Sequence, residues 1–113
     1  PTIVAATGIT PRRTMDGRSL VPFLQGQIAW ATPRHVMVED SPRGGAATVF
    51  WSIRKGKYVY TEYANGDREL YDLGKDSAQG ASRHADAAYA KIRTRLAKRL
   101  AAMKTCRGPT ACW

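Results

Sequence analysis

Two tight-turn signals ten residues apart, Lys55-Gly56 and Asn65-Gly66, constrain this chain more than any other feature in it. Each separates segments of alternating polarity: "TVFWSIR" (48–54), "KYVYTEY" (57–63) and "RELYDL" (68–73). In the first segment Val49, Trp51 and Ile53 share one face and Phe50, Ser52 and Arg54 the other. In the last, Glu69, Tyr71 and Leu73 oppose Leu70 and Asp72. A period of two bounded by glycine-containing turns is the pattern of antiparallel strands, and Asn-Gly is the strongest two-residue hairpin signal. The three segments therefore predict a meander. "HVMVED" (35–40), where Val36 and Val38 alternate with His35, Met37 and Glu39, predicts a strand ahead of it, across a loop "SPRGGAA" (41–47). An antiparallel sheet of this kind buries one face and wets the other, so another element must cover the buried one.

The tail supplies that cover. Tyr89, Ile92, Leu96, Leu100 and Met103 recur at steps of three and four, the spacing of one helical stripe. Asp86 suits the helix start, and Gly108-Pro109 ends any helix that reaches so far. Upstream, "PTIVAATGI" reads as a short apolar helix with Pro1 at its first position and Gly8 as its stop. "MDGRSLVPFLQG" (15–26) carries Leu20, Val21, Phe23 and Leu24 between polar starters and Gly26. The expected class is α+β: a small antiparallel sheet of three to four strands packed against a C-terminal amphipathic helix, preceded by short helices. Pro1 opens its helix with no capping residue ahead of it, so the chain is expected to continue upstream.

Charge is unevenly placed. Of the net +9, residues 74–113 carry nine basic and two acidic side chains, while residues 44–73 hold four of each. This excess is either a solvated helix face or a surface that attracts polyanions. No apolar run reaches the roughly 20 residues of a membrane-spanning helix, and the first residues lack the pattern of a signal peptide. The two cysteines, Cys106 and Cys112, cannot make a zinc site alone, and neither His35 nor His84 stands at ligand spacing from them. A local disulfide across the Gly-Pro loop is the better reading, and it points to an oxidising compartment. Neither histidine lies in a nucleophile arrangement, the acids are scattered singly, and "SPRGGAA" lacks the spacing of a phosphate loop. The residues by themselves predict no catalytic group and no metal site.

The order of segments carries a resemblance. "PTIVAATGITPRRTMDGRSLVPFLQG" resembles the sulfatase run "PTIL-LAGI-P…DGRSL-PLL-G" that closes the catalytic domain. "FWSIRKGKYVYTEYANGDRELYDLGKD" is similar to the family's "W-A-VRTGRYKYIEY–GERELYDL–DP", and "AYAKIRTRLAKRLAAMKTC" matches its closing helix. The likeness, which spans nearly the whole chain, implies the C-terminal portion of a sulfatase of the arylsulfatase or N-acetylglucosamine-6-sulfatase kind, in the alkaline-phosphatase superfamily. Residues 1–30 would be the tail end of the catalytic domain and 31–113 the C-terminal subdomain. Sulfatases hydrolyse sulfate esters with a formylglycine made from Cys or Ser in C-x-P-x-R or S-x-P-x-R, beside a calcium ion held by Asp and Asn. This sequence holds neither motif, and "CRGPT" has its proline one place late and no arginine where one is required. The resemblance therefore implies that formylglycine, calcium and the Lys/His/Arg cluster around the sulfate belong to the intact enzyme, and that this chain alone is structural and inactive. After "YDL" the family continues "DPYELRNLA", whereas this chain has "DSAQGASRHA", a more polar connection expected to be looser.

The resemblance also implies partners and a place. The upstream catalytic domain would be the direct partner, a sulfated small molecule or glycan the substrate, and a secreted, periplasmic or cell-surface site the location. The loop 34–45 offers candidate substrate-rim residues in His35, Glu39, Asp40 and Arg43, because loops joining a subdomain to a catalytic domain often reach the cleft. The alternative is an independent basic module that binds polyanions, nucleic acid or acidic polysaccharide. Nucleic acid is disfavoured because Trp51, Tyr58 and Tyr60 alternate as strand residues do and read as packing rather than as base-stacking platforms.

Overall fold

The computed structural model describes residues 1–27, 35–40 and 50–112. Four strands, β1 (His35–Asp40), β2 (Phe50–Lys55), β3 (Tyr58–Tyr63) and β4 (Arg68–Asp72), form one antiparallel sheet in sequence order. Helix α1 (Thr2–Thr7) and helix α2 (Val21–Leu24) precede it. A 3₁₀ turn (Ala87–Tyr89), helix α3 (Ala90–Lys104) and helix α4 (Gly108–Ala111) follow. The fold is α+β, as the alternation of segments predicts. Thr48, Val49 and the loop 41–47 lie outside the described residues.

Turn chemistry sets the register. Lys55 pairs with Tyr58, so Gly56 and Lys57 form a two-residue loop. Gly56 has φ 55°, the left-handed geometry that the first central position of a type II′ turn requires. The second turn differs from the Asn-Gly expectation. The β3–β4 register aligns Glu62 with Arg68, and Tyr63 N–H donates to the Asp67 carbonyl at 2.9 Å, which leaves the three residues 64–66 as the loop. Gly66 alone takes positive φ there (95°), while Asn65 does not. This is the three-residue hairpin in which a type I turn is closed by a left-handed glycine. Asn65 instead serves through its side chain: Oδ1 accepts from Asp67 N–H at 3.0 Å and Nδ2 donates to Asp67 Oδ2 at 2.7 Å.

By contacts the chain divides into two units, Pro1–Pro33 with Met103–Trp113, and Arg34–Ala102. The second holds the sheet and most of α3. Met37, Ile53, Tyr60 and Leu70 stand in line across the four strands. The last three are at most 1% exposed, as are Leu96 and Leu100 of α3. Burial of both sets together places the apolar stripe of the helix on this face. Asp86 caps the helical segment as expected, accepting from Ala88 N–H at 2.9 Å. The connection after β4 is better bound than its composition suggests. Asp76 accepts from the N–H groups of Gly80 and Ala81, Ser82 Oγ accepts from Leu70 N–H, and Arg83 N–H donates to the Leu70 carbonyl. Segment 80–83 thus satisfies both backbone groups of Leu70 on the outer edge of β4, where a bare edge would invite pairing.

The first unit is pinned by polar contacts. Gly108 N–H donates to Asp16 Oδ1 at 2.7 Å, Arg18 Nε to the Pro109 carbonyl at 3.1 Å, and Leu20 N–H to Thr2 Oγ1 at 3.1 Å. Helix α3 stops at Lys104, and Gly108-Pro109 begins α4 rather than ending a helix. Cys106 and Cys112 are joined in a disulfide, with Cα atoms 5.3 Å apart, so the bridge closes around this short helix.

Candidate functional site

Three of the four candidate rim residues lie on β1, and the fold does not draw them into one constellation. His35 and Glu39 point to the face that carries Met37, about 13 Å apart along the strand. Asp40 belongs to the opposite face with Val36 and Val38, opposite Phe50 of β2. Arg43 lies outside the described residues. His35 is half-buried and pairs across the ladder with Lys55. Burial lowers its pKa first, and the charges of Lys55, Arg99 and Arg95 lower it further, so the imidazole stays neutral beside a cluster of cations.

A polar network sits at the β4 edge of the buried face, in the same cross-strand row as His35, Lys55 and Tyr58. Asp72, 3% exposed, takes Lys57 Nζ at 3.3 Å, Gly74 N–H at 3.1 Å and the Tyr89 hydroxyl at 3.3 Å. Burial opposes its ionisation, but the hydrogen bond from Lys57, then that from Gly74, outweigh it and hold the carboxyl below its ordinary range. Tyr60 is pushed up to about 12 by burial and by its hydrogen bond to Glu62. These groups are satisfied by one another, which is the arrangement of a structural network rather than of a reacting site. Among the described residues no three His, Cys, Asp or Glu side chains converge as metal ligands. Asp72 and Asp76 already accept from Lys57 and backbone N–H groups, so these two carboxylates are committed to the fold.

Among the described residues, two surfaces stand out for contact. The sheet face opposite α3 carries Val36 and Val38, each 53% exposed, with Phe50 and Tyr63 ring to ring at 6.1 Å and half-buried Val59 and Tyr71. Its centre is small and polar, where Ser52 and Thr61 share a hydrogen bond of 2.9 Å. The second surface is the outer side of α3, where Lys91, Thr94, Arg95 and Lys98 surround a shallow depression of about 480 Å³. The local charge excess in residues 74–113 signals this surface in the sequence. The apolar sheet face is harder to read there, because Val36 and Val38 look like ordinary strand residues.

A small four-stranded meander under one C-terminal helix, preceded by short helices, is a subdomain type, and comparison with solved structures places it. The chain is similar to a protein of Bacteroides thetaiotaomicron VPI-5482 assigned as a sulfatase: TM-score 0.79 and 29% identity over 93% of this chain and 23% of that one. It is similar to a 2-O GAG sulfatase at TM-score 0.72 and 29% identity, over 93% of this chain and 24% of that one. It is also similar to the phosphonate monoester hydrolase of Agrobacterium radiobacter at TM-score 0.75 and 27% identity, over 92% and 23%. The chain thus has the architecture of a sulfatase C-terminal region, and it spans about a quarter of the length of the structures it matches. No family model matches the chain, and no curated protein matches it by sequence.

Proposed function

We propose that this chain is the C-terminal, non-catalytic region of an enzyme that hydrolyses sulfate esters. The likeness to a structure assigned as a sulfatase, over 93% of the chain at 29% identity, carries this reading. On it, residues 1–30 are the tail end of the catalytic domain and residues 31–113 the subdomain. The sheet face that exposes Val36 and Val38 packs against the catalytic domain, since exposed apolar side chains grouped on one face suit an interface. Formylglycine and calcium belong to that domain, and this chain contributes stability and part of the cleft's rim. A sulfated glycan is the favoured substrate, supported by the likeness to a 2-O GAG sulfatase. A disulfide-bonded protein of this type belongs in an exported, oxidising location.

The likeness to a phosphonate monoester hydrolase favours a second reading, in which the bond cleaved is a phosphonate ester. Assay of the full-length protein on an aryl sulfate and on an aryl phosphonate monoester separates the two. Higher kcat/KM on the sulfate supports the first reading, and a clear preference for the phosphonate replaces it with the second. For the rim residues His35, Glu39, Asp40 and Arg43, the expected signature is selective. Arg43→Ala raises KM for an anionic glycan substrate more than for a small aryl ester, because only remote binding is lost. An equal effect on both substrates contradicts a rim role.

A further inference from the structure

Helix α3 carries six basic side chains and no acidic one in its 15 residues. Opposite charges three or four residues apart support a helix and like charges weaken it, so a face of one sign gives up helix stability that a mixed face would keep. Here Lys91, Arg95 and Lys98, at i, i+4 and i+7, form one stripe about 10 Å long. Among the described residues none of the three has an ion-pair partner. On the sheet, Lys55 of β2 pairs with His35 of β1 across the ladder, and the charges of Lys55, Arg99 and Arg95 all act on that histidine, which links the cations of the sheet edge to those of α3.

We infer that Lys91, Arg95 and Lys98, continued by Lys55 and His35, form a docking surface for a sulfated polysaccharide chain. This rests on the sulfatase reading and extends it from the bond cleaved to the polymer that carries it. Charge complementarity selects a polyanion. The residues between the cations favour one kind: among the described residues Ala90 and Thr94 line the depression with them, and no aromatic ring does. Single-stranded nucleic acid is held by stacking on aromatic side chains, and a membrane-surface helix sets apolar side chains beside its cations. A sulfated glycan needs neither. Its sulfates take the ammonium and guanidinium groups, and the Thr94 hydroxyl suits a sugar hydroxyl.

The test uses heparin as the probe and the full-length protein in three forms. The first is unaltered, the second carries Lys91→Gln, Arg95→Gln and Lys98→Gln, and the third carries Arg12→Gln, Arg13→Gln and Arg107→Gln. The last loses the same charge from exposed positions in the other unit. The stripe variant is expected to lose about tenfold or more in heparin affinity near 0.1 M salt, with a log–log salt slope shallower by about two to three. The control variant is expected to stay near the unaltered protein, and duplex DNA of equal charge to bind more weakly and without dependence on the stripe. In NMR, a heparin oligosaccharide raises the titration midpoint of His35, which faces Lys55 from β2 and Arg95 and Arg99 from α3. Equal losses in both variants overturn the inference, as does stripe-dependent DNA binding of the same strength or an unmoved His35. Aryl sulfate turnover by the unaltered protein is scored alongside. Its absence counts against the sulfatase reading, while the heparin comparison decides the docking surface independently.

Discussion

At the scale of single residues, Asp72 joins three elements of the second unit. It ties β4 to the β2–β3 turn through Lys57 and to the helical segment through Tyr89. Because its folded pKa lies below the ordinary 3.8, the stability it confers is fully present above that value and is lost as pH falls through the folded pKa. Asp76 acts in the same direction through the N–H groups of Ala81 and Gly80. Asp72→Asn is therefore expected to lower stability at neutral pH and to make the decline below about pH 4 shallower. Acid unfolding followed by circular dichroism measures both, and a decline of unchanged steepness contradicts the assignment. His35 has the opposite chemistry and a different window. Its lowered pKa means the unfolded state takes up a proton first, so stability is full above 6.5 and diminishes as pH falls from there toward the folded value. His35→Gln is expected to remove that step between neutral and mildly acid pH, which a thermal-melt series across the range reads directly.

Among the elements, α3 and the disulfide-closed turn invite the clearest perturbations. Leu96 is 1% exposed on the side of α3 that faces the buried sheet residues, whereas Lys98 lies in the basic stripe on the other. Leu96→Ala is expected to cost about 2–5 kcal/mol and Lys98→Ala no more than about 0.5 kcal/mol. Similar denaturant midpoints for the two would mean that the helix presents a different face. The Cys106–Cys112 bridge spans a sequence separation of 6, so its loop-entropy contribution is only about 2 kcal/mol. Reduction should lower the melting temperature modestly, and mass spectrometry of the unreduced protein should show no free thiol. The helix stripe, the strands and the Asp86 cap are legible in the sequence because each rests on local periodicity or a local hydrogen bond. The type of the second hairpin is not, since Asn-Gly fits a two-residue loop and, equally, the last two places of a three-residue one. Only the β3–β4 register distinguishes them. Asp16 has the local pattern of a helix starter, yet its carboxylate serves Gly108, 92 residues away, which no local pattern reveals.

For the whole molecule, the segment order carries more information than any motif. "RELYDL" is a plain structural strand: Leu70 and Asp72 fill the buried side and its outer edge is closed by Ser82 and Arg83. Its place between a Tyr-rich strand and a basic helix is what resembles sulfatases, and the solved structures agree over nearly the full chain. The rim candidates are less legible. A strand's alternation sends Asp40 away from His35 and Glu39 whatever their nearness in sequence. On the proposed sulfatase reading, a nucleophile motif is expected outside these 113 residues. Peptide mapping of the full-length protein by mass spectrometry tests that reading without intermediaries. The expected map contains a C-x-P-x-R or S-x-P-x-R peptide upstream of Pro1, with its Cys or Ser converted to formylglycine. A complete map with no such motif anywhere in the polypeptide would contradict it.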